Sequence, residues 1–269
     1  MIHVRAHAKL NLALLVGPRR EDGLHELVSA VQRIDLADDL TLEEAERPSV
    51  EGFPEDTLVA RALDVLDAPP LRVSITKRIP VAAGLGGGSA DAGAVLAAAN
   101  PLRPEPLTRD DLIRLAAEVG SDVPFFLEPG AKLVEGAGER LTALDLPRDY
   151  AVVVALPHGA TKASTAEVYE RFDALGGGGD FERRRDELVH ALVALRAGRD
   201  LALLAPNDLA EAAGRSSLLE ELSAAGAFRA DVAGAGPALY GLFLRHDEAQ
   251  LAARGLADRA ETWVTRPVW

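Results

Sequence analysis

Pro80-Val81-Ala82-Ala83-Gly84-Leu85-Gly86-Gly87-Gly88-Ser89-Ala90-Asp91-Ala92 lies between a strand-like stretch, Leu71 to Thr76, and an alanine-rich segment, Ser89 to Ala99, whose composition favours helix. Backbone free of side chains can wrap an anion at such a junction, and the N–H groups and dipole of the following helix favour negative charge. The bland alternative is a flexible turn with close helix packing, although three adjacent glycines cost backbone entropy. No Gly-Lys-Ser/Thr follows, so this is not a Walker A loop. After Gly84 and Gly86, the third glycine position of a dinucleotide fingerprint holds Ser89, and the flanking strands read as antiparallel. The loop predicts a phosphate cradle outside both of those frameworks.

Working outward, Val4, Ala6, Ala8, Leu10, Leu12 and Leu14 alternate with Arg5, His7, Lys9 and Asn11, the period of a strand with one buried and one polar face. Extended stretches are expected at Leu27 to Leu36 and Asp39 to Glu44, and a helix from Thr57, where Leu58, Ala62, Leu63 and Leu66 share one face before Pro69-Pro70. Thr108, three residues before Asp111, predicts a capped helix running to Val119. Beyond Tyr150 come an apolar strand, Ala151 to Leu156, a capping box at Ser164 and Glu167, and a glycine connection at Gly176 to Gly179. Short helices follow to Ala225, then strands at Ala227 to Ala233 and Ala238 to Leu244, a helix from Asp247 and a strand at Glu261 to Thr265. The class expected is α+β, split near residue 150 into segments 1–149 and 150–269.

The 269 residues carry 29 Lys+Arg against 42 Asp+Glu, a net charge of −13, and no cysteine. That balance argues against a broad nucleic-acid surface, since such affinity comes mostly from cations neutralising phosphates. Lack of cysteine removes disulfides, thiolate metal sites and cysteine nucleophiles. No basic-then-apolar leader is visible, and no apolar run approaches the roughly 20 residues that span a bilayer. A cytoplasmic protein without membrane or nucleic-acid partners is expected. The histidines lack zinc-ligand spacing, and no Gly-x-Ser-x-Gly elbow is present.

Several residues admit two readings. Lys9 and Asn11, two apart on one strand face, are suited to hold a phosphoryl group and a hydroxylated substrate together, yet a half-exposed strand face is usually just solvated. Asp122, in Gly120-Ser121-Asp122-Val123-Pro124-Phe125-Phe126, reads on its own as the N-cap of a short turn. Its functional reading is a carboxylate that accepts or orients a hydroxyl proton. Gly234 and Gly236 fit a hairpin, and Asn207-Asp208-Leu209 a capped helix start.

Taken together and in order, these segments resemble the GHMP kinase superfamily. The resemblance rests on Ala8-Lys9-Leu10-Asn11-Leu12, Asp22-Gly23-Leu24-His25-Glu26-Leu27, Gly84 to Ser89, Gly120 to Phe126, Ser164-Thr165-Ala166-Glu167-Val168-Tyr169, Asn207-Asp208-Leu209 and Gly234 to Pro237, and it runs essentially end to end. It implies an N-terminal domain like ribosomal protein S5 domain 2, a ferredoxin-like C-terminal domain, and a site in the cleft between them. The branch it most resembles transfers the ATP γ-phosphoryl group to the 2-hydroxyl of a diphosphocytidyl methylerythritol, a step of isoprenoid precursor biosynthesis. By the same resemblance, Gly84, Leu85, Gly86, Gly87, Gly88, Ser89 and Ala90 would bind the ATP phosphates, with Ser89 also reaching Mg2+. Asp122 and Lys9 would be catalytic, the first orienting or deprotonating the hydroxyl and the second stabilising charge. Asn11, Leu24, His25, Thr165 and Tyr169 would bind the substrate, His25 holding the cytosine and Tyr169 stacking on it.

The chain departs from the usual pattern at Leu24, where the family commonly has an aromatic, and at Ala233, Ala235 and Ala238, where serine or threonine are common. Apolar cover is kept at Leu24 while aromatic stacking is weakened. Two other readings stay open: a kinase of the same superfamily for homoserine or a mevalonate-type alcohol, and a non-catalytic nucleotide-binding module. A monomer or weak homodimer is expected.

Overall fold

The computed structural model describes residues 1–53, 57–161, 163–214 and 216–269. The alternation that begins at Val4 does build a strand, β1 (Ile2–Arg19), but from Ala8 to Gly17 every residue is buried. The half-exposed face expected for Lys9 and Asn11 is therefore absent. Alternate residues such as Leu10 and Leu12 pack against Val152, Val154 and Tyr240 of a second sheet. The opposite face, at Lys9, is roofed by the glycine loop, whose Leu85 carbonyl accepts the Lys9 backbone N–H at 3.0 Å.

The stretches expected at Leu27 to Leu36 and Asp39 to Glu44 form one strand, β2 (His25–Glu44). β2 pairs antiparallel with β1 along nearly its whole length, and its two halves pair separately with β4 (Leu71–Thr76) and β5 (Ala131–Gly136). β3 (Ser49–Glu51), parallel to β4, and β6 (Arg140–Leu144), antiparallel to β5, complete this six-stranded sheet. The second sheet is antiparallel, with β7 (Ala151–Pro157), β8 (Arg229–Val232), β9 (Leu239–Phe243) and β10 (Ala260–Thr265) in the order β10-β7-β9-β8. The α+β architecture expected from the sequence is the one observed.

α1 (Thr57–Leu66), α2 (Gly87–Ala99) and α3 (Arg109–Val119) cover the first sheet. α4 (Thr165–Ala174), α5 (Phe181–Ala194), α6 (Ala210–Ala213), α7 (Ser217–Ala224) and α8 (His246–Gly255) belong to the second half of the chain. Both predicted caps are made: the Thr108 hydroxyl accepts the Asp111 N–H, and Ser164 and Glu167 form the reciprocal box. α2 starts two residues before the expected Ser89, capped by Gly86 in the left-handed region at φ 73°. It is buried almost all round. At Gly93 a Cβ would sit 2.6 Å from the Phe126 Cβ, so a residue that costs about 1 kcal/mol inside a helix lets the segment carrying Asp122 lie directly on α2.

The two sheets share one continuous apolar core. Polar contacts reinforce it. Asp208 accepts the Val16 N–H at 2.9 Å and its own N–H donates to Leu14 O at 2.9 Å, while Tyr240 donates its hydroxyl to Asn11 O at 3.0 Å. After β10 the chain returns to β2, where Val268 N–H donates to Arg33 O and Asp35 N–H to Arg266 O. Asn207, read from sequence as part of a helix start, does accept the Leu209 N–H, but its amide donors go to Val232 O at 3.0 Å and Gly234 O at 2.6 Å. Asn207 thus holds the second glycine turn in place. Asn207→Ala leaves those buried carbonyls unpaired and is expected to cost about 2–4 kcal/mol, read as a lower urea midpoint at unchanged slope. A midpoint equal to that of the parent would refute the assignment.

Candidate active site

The register of β1 against β2 shifts between His7 and Lys9 and again between Asn11 and Ala13. These irregularities bracket the segment that carries the site, as bulges beside sites often do. The Lys9 side chain is 8% exposed, and an ammonium so placed needs acceptors to offset lost hydration. Lys9 Nζ donates to Asn11 Oδ1 at 2.7 Å, Asn11 Nδ2 to Ser29 Oγ at 2.8 Å, and Ser29 Oγ to Ala13 O at 2.6 Å. The Asp122 carboxylate faces this chain of hydrogen bonds, with Oδ2 3.5 Å from Lys9 Nζ. Asp122 precedes a 3-10 turn (Val123–Leu127) but makes no side-chain capping bond, and it is half exposed. The capping reading of Asp122 is thereby replaced, and its oxygens are left to face the cleft.

The glycine loop borders the same space. Gly87, Gly88 and Ser89 form the first turn of α2, so their N–H groups have no acceptor within the helix. Ala90 differs from its neighbours: its N–H donates to Gly86 O at 2.8 Å and its side chain is buried, so the expected role as a phosphate donor does not suit it. Leu85 also turns its side chain into the core and offers only backbone. At Gly84, where φ is +85°, a Cβ would sit 2.0 Å from Ala233 O, and Ala238 N–H donates to Ala83 O at 3.1 Å. The two glycine turns are therefore docked backbone to backbone, which explains why neither is a mere flexible connection.

A cleft of about 920 Å³ gathers these groups. Lys9, Asn11, Gly84, Gly86, Gly87, Gly88, Ser89 and Asp122 line it together with Leu24, His25, Thr165 and Tyr169, which stand far apart in sequence. Leu24 is exposed at 52%, on the loop that joins β1 to β2. The His25 and Tyr169 rings lie 4.9 Å apart, tilted by 32°. Burial, with the Asp122 charge adding to it, pushes the Tyr169 phenol well above its ordinary range and keeps it neutral.

Two residues of the cleft escaped the sequence reading. Lys77 Nζ donates to Asp38 at 2.6 Å and Asp91 at 2.7 Å, and Asp38 also accepts the N–H groups of Arg78 and Ile79. Burial opposes the Lys77 charge, but Asp91 and Asp38 outweigh it and raise its pKa. This network ties the end of β4 to α2. A lysine just before the glycine run was the available signal. The other is Asp173, which accepts from His25 Nε2 at 2.8 Å and lies one helical turn beyond Tyr169.

Gly84→Ala forces both a left-handed backbone and a clash with a carbonyl that cannot swing away. We expect a loss of about 2–5 kcal/mol in folding stability, measured by thermal unfolding, together with loss of the stabilisation that ATP confers on the parent protein. Parent-like stability would show that the two turns are not rigidly docked.

Residues 57–130 match the GHMP kinases N terminal domain, and residues 216–262 match the GHMP kinases C terminal domain. A 4-diphosphocytidyl-2-C-methyl-D-erythritol kinase from Anaeromyxobacter sp. is 40% identical over 94% of this chain and 86% of its own length. The enzyme of the same name from Geobacter sulfurreducens is 35% identical over 98% of this chain and 97% of its own. Among solved structures, a crystal structure of 4-(cytidine 5'-diphospho)-2C-methyl-D-erythritol kinase superimposes with a TM-score of 0.81 at 31% identity, covering both chains fully. A mevalonate kinase reaches 0.70 at 13% identity over 100% of this chain and 99% of its own, a likeness of fold alone. With its glycine cradle, its lysine and its facing carboxylate arranged on that fold, the chain belongs to the 4-diphosphocytidyl-2-C-methyl-D-erythritol kinase family of the GHMP kinases.

Proposed function

We propose that this protein transfers the γ-phosphoryl group of ATP to the 2-hydroxyl of 4-(cytidine 5'-diphospho)-2-C-methyl-D-erythritol, as a cytoplasmic enzyme of non-mevalonate isoprenoid precursor biosynthesis. The observation that carries this reading is the facing pair Lys9 and Asp122, 3.5 Å apart, in the cleft lined by Gly87, Gly88 and Ser89, whose N–H groups have no acceptor within the helix. Phosphoryl transfer asks a protein mainly for positioning and charge stabilisation. The loop N–H groups and the α2 dipole bind the phosphates. Asp122 orients the hydroxyl and takes its proton as the oxygen attacks the γ-phosphorus and the bond to the β-phosphate oxygen breaks, releasing ADP. Lys9, fixed by Asn11, offsets the charge that builds up on the transferring group.

Among the described residues no group of three or more His, Asp or Glu side chains forms a metal cage. Mg2+ is usually held by one or two protein oxygens plus nucleotide phosphates, and Ser89 and Asp122, which both line the cleft, would supply them. The ion, when bound, neutralises phosphate charge. His25, Tyr169 and Leu24, which line the same cleft, supply a base pocket, with Asn11 and Thr165 completing the substrate's surroundings. A homoserine or mevalonate-type acceptor has no use for that pocket, and a binding module has no use for the Lys9 and Asp122 pair.

Asp122→Asn is expected to lower kcat at least about 10²-fold, while thermal stabilisation by cytidine diphosphate stays as in the parent. Product formation by this variant at the parent rate would remove Asp122 from the chemistry. Failure of the parent to make ADP from Mg-ATP and the cytidylyl substrate would remove the proposal itself.

A further inference from the structure

α4 brings three side chains to one ring. Tyr169, Phe172 and Asp173 stand at positions i, i+3 and i+4, so they share a helix face. That face meets His25: Tyr169 lies against the ring at 4.9 Å, Phe172 meets it edge-on at 6.3 Å and 82°, and Asp173 Oδ1 is 2.8 Å from Nε2. The Ser164 and Glu167 capping box fixes where α4 begins, and hence the rotation at which these three residues arrive.

The histidine side chain is 7% exposed. A carboxylate accepts hydrogen bonds and does not donate them, so Nε2 carries the proton in this contact. In a neutral imidazole the other nitrogen is then an acceptor. Among the described residues the hydrogen bond to Asp173 is the one that the His25 ring makes, which leaves Nδ1 without a partner there, and His25 lines the cleft. Asp173 itself also lines the cleft and is 41% exposed. A negative side chain beside a site for a phosphorylated ligand opposes binding by charge, so its placement requires an offsetting gain.

We infer that Asp173 is a positioning residue that holds His25 in the Nε2–H tautomer and thereby selects cytosine over uracil. The inference rests on the proposed function, which places the base at His25. The two bases differ at position 4, where cytosine offers an amino donor and uracil a carbonyl acceptor. An Nδ1 lone pair receives the donor and repels the acceptor, leaving a buried polar group unpaired when the wrong base is bound. Without Asp173 either tautomer serves, and the ring adapts to both bases.

Asp173→Asn keeps the shape and lets the ring nitrogen either donate or accept. The preference of kcat/KM for the cytidylyl substrate over its uridylyl counterpart is expected to fall about tenfold or more, through KM, with kcat on the cytidylyl substrate changed less than about twofold. ¹⁵N shifts of His25 should show a protonated Nε2 and an unprotonated Nδ1 in the parent, and a mixture in the variant. An Nδ1–H tautomer in the parent overturns the inference even if the variant does not fold, and so does a variant that keeps the parent's base preference. A parent that uses neither substrate overturns the proposed function instead, while the ¹⁵N shifts still report what Asp173 does to His25.

Discussion

The Lys9 ammonium lies among buried groups, and much of the site is arranged around that charge. A lysine removed from water is tolerated only where acceptors replace its hydration. Asn11 supplies one at 2.7 Å and is itself held through Ser29 to the Ala13 carbonyl. Asp122 supplies opposite charge at 3.5 Å while staying half exposed, so the pair is neutralised without being sealed. That arrangement needs the Asp122 segment pressed onto α2, which the missing side chain of Gly93 permits. Strand, loop, helix and turn meet at one cation.

The acidity of the chain sets a second constraint. A molecule of net charge −13 that binds phosphorylated ligands must reverse its field locally. The first turn of α2 offers a means, through N–H groups that have no acceptor within the helix and the helix dipole, without any counted charge. Lys77 lies against Gly87 and is already matched by Asp38 and Asp91, so its charge is mostly spent on holding the loop's flank. The loop is shaped by backbone geometry more than by side-chain cations, and that geometry depends on the docking of Gly84 against Ala233.

Much of the local structure was legible in the sequence. The caps at Thr108 and at Ser164 with Glu167 lie where the side-chain chemistry requires them, because capping is settled within four residues. The glycine loop and its helix were legible for the same reason, although the helix starts at Gly87 and not at Ser89. The burial of Lys9 was not legible: period-two alternation reports the two faces of an isolated sheet and carries no information on what covers the second one. Asp122 read as a cap because its neighbours are those of a cap, and only its orientation in space shows that it caps nothing. Asp173 was invisible because its meaning comes from His25, almost 150 positions earlier.

What the sequence by itself determined is the set of elements, the glycine loop at a strand-to-helix junction, and the motif order that marks the superfamily. Periodicity, caps and side-chain-free backbone act over a few residues, so they are written locally. The tertiary structure alone decided which groups become neighbours: β1 buried on both faces from Ala8 to Gly17, Lys9 set against Asp122, two glycine turns docked on each other, and α4 rotated so that Asp173 reaches His25. Those contacts depend on packing two sheets into one core, and the polar groups trapped by that packing had to find partners or acquire a function.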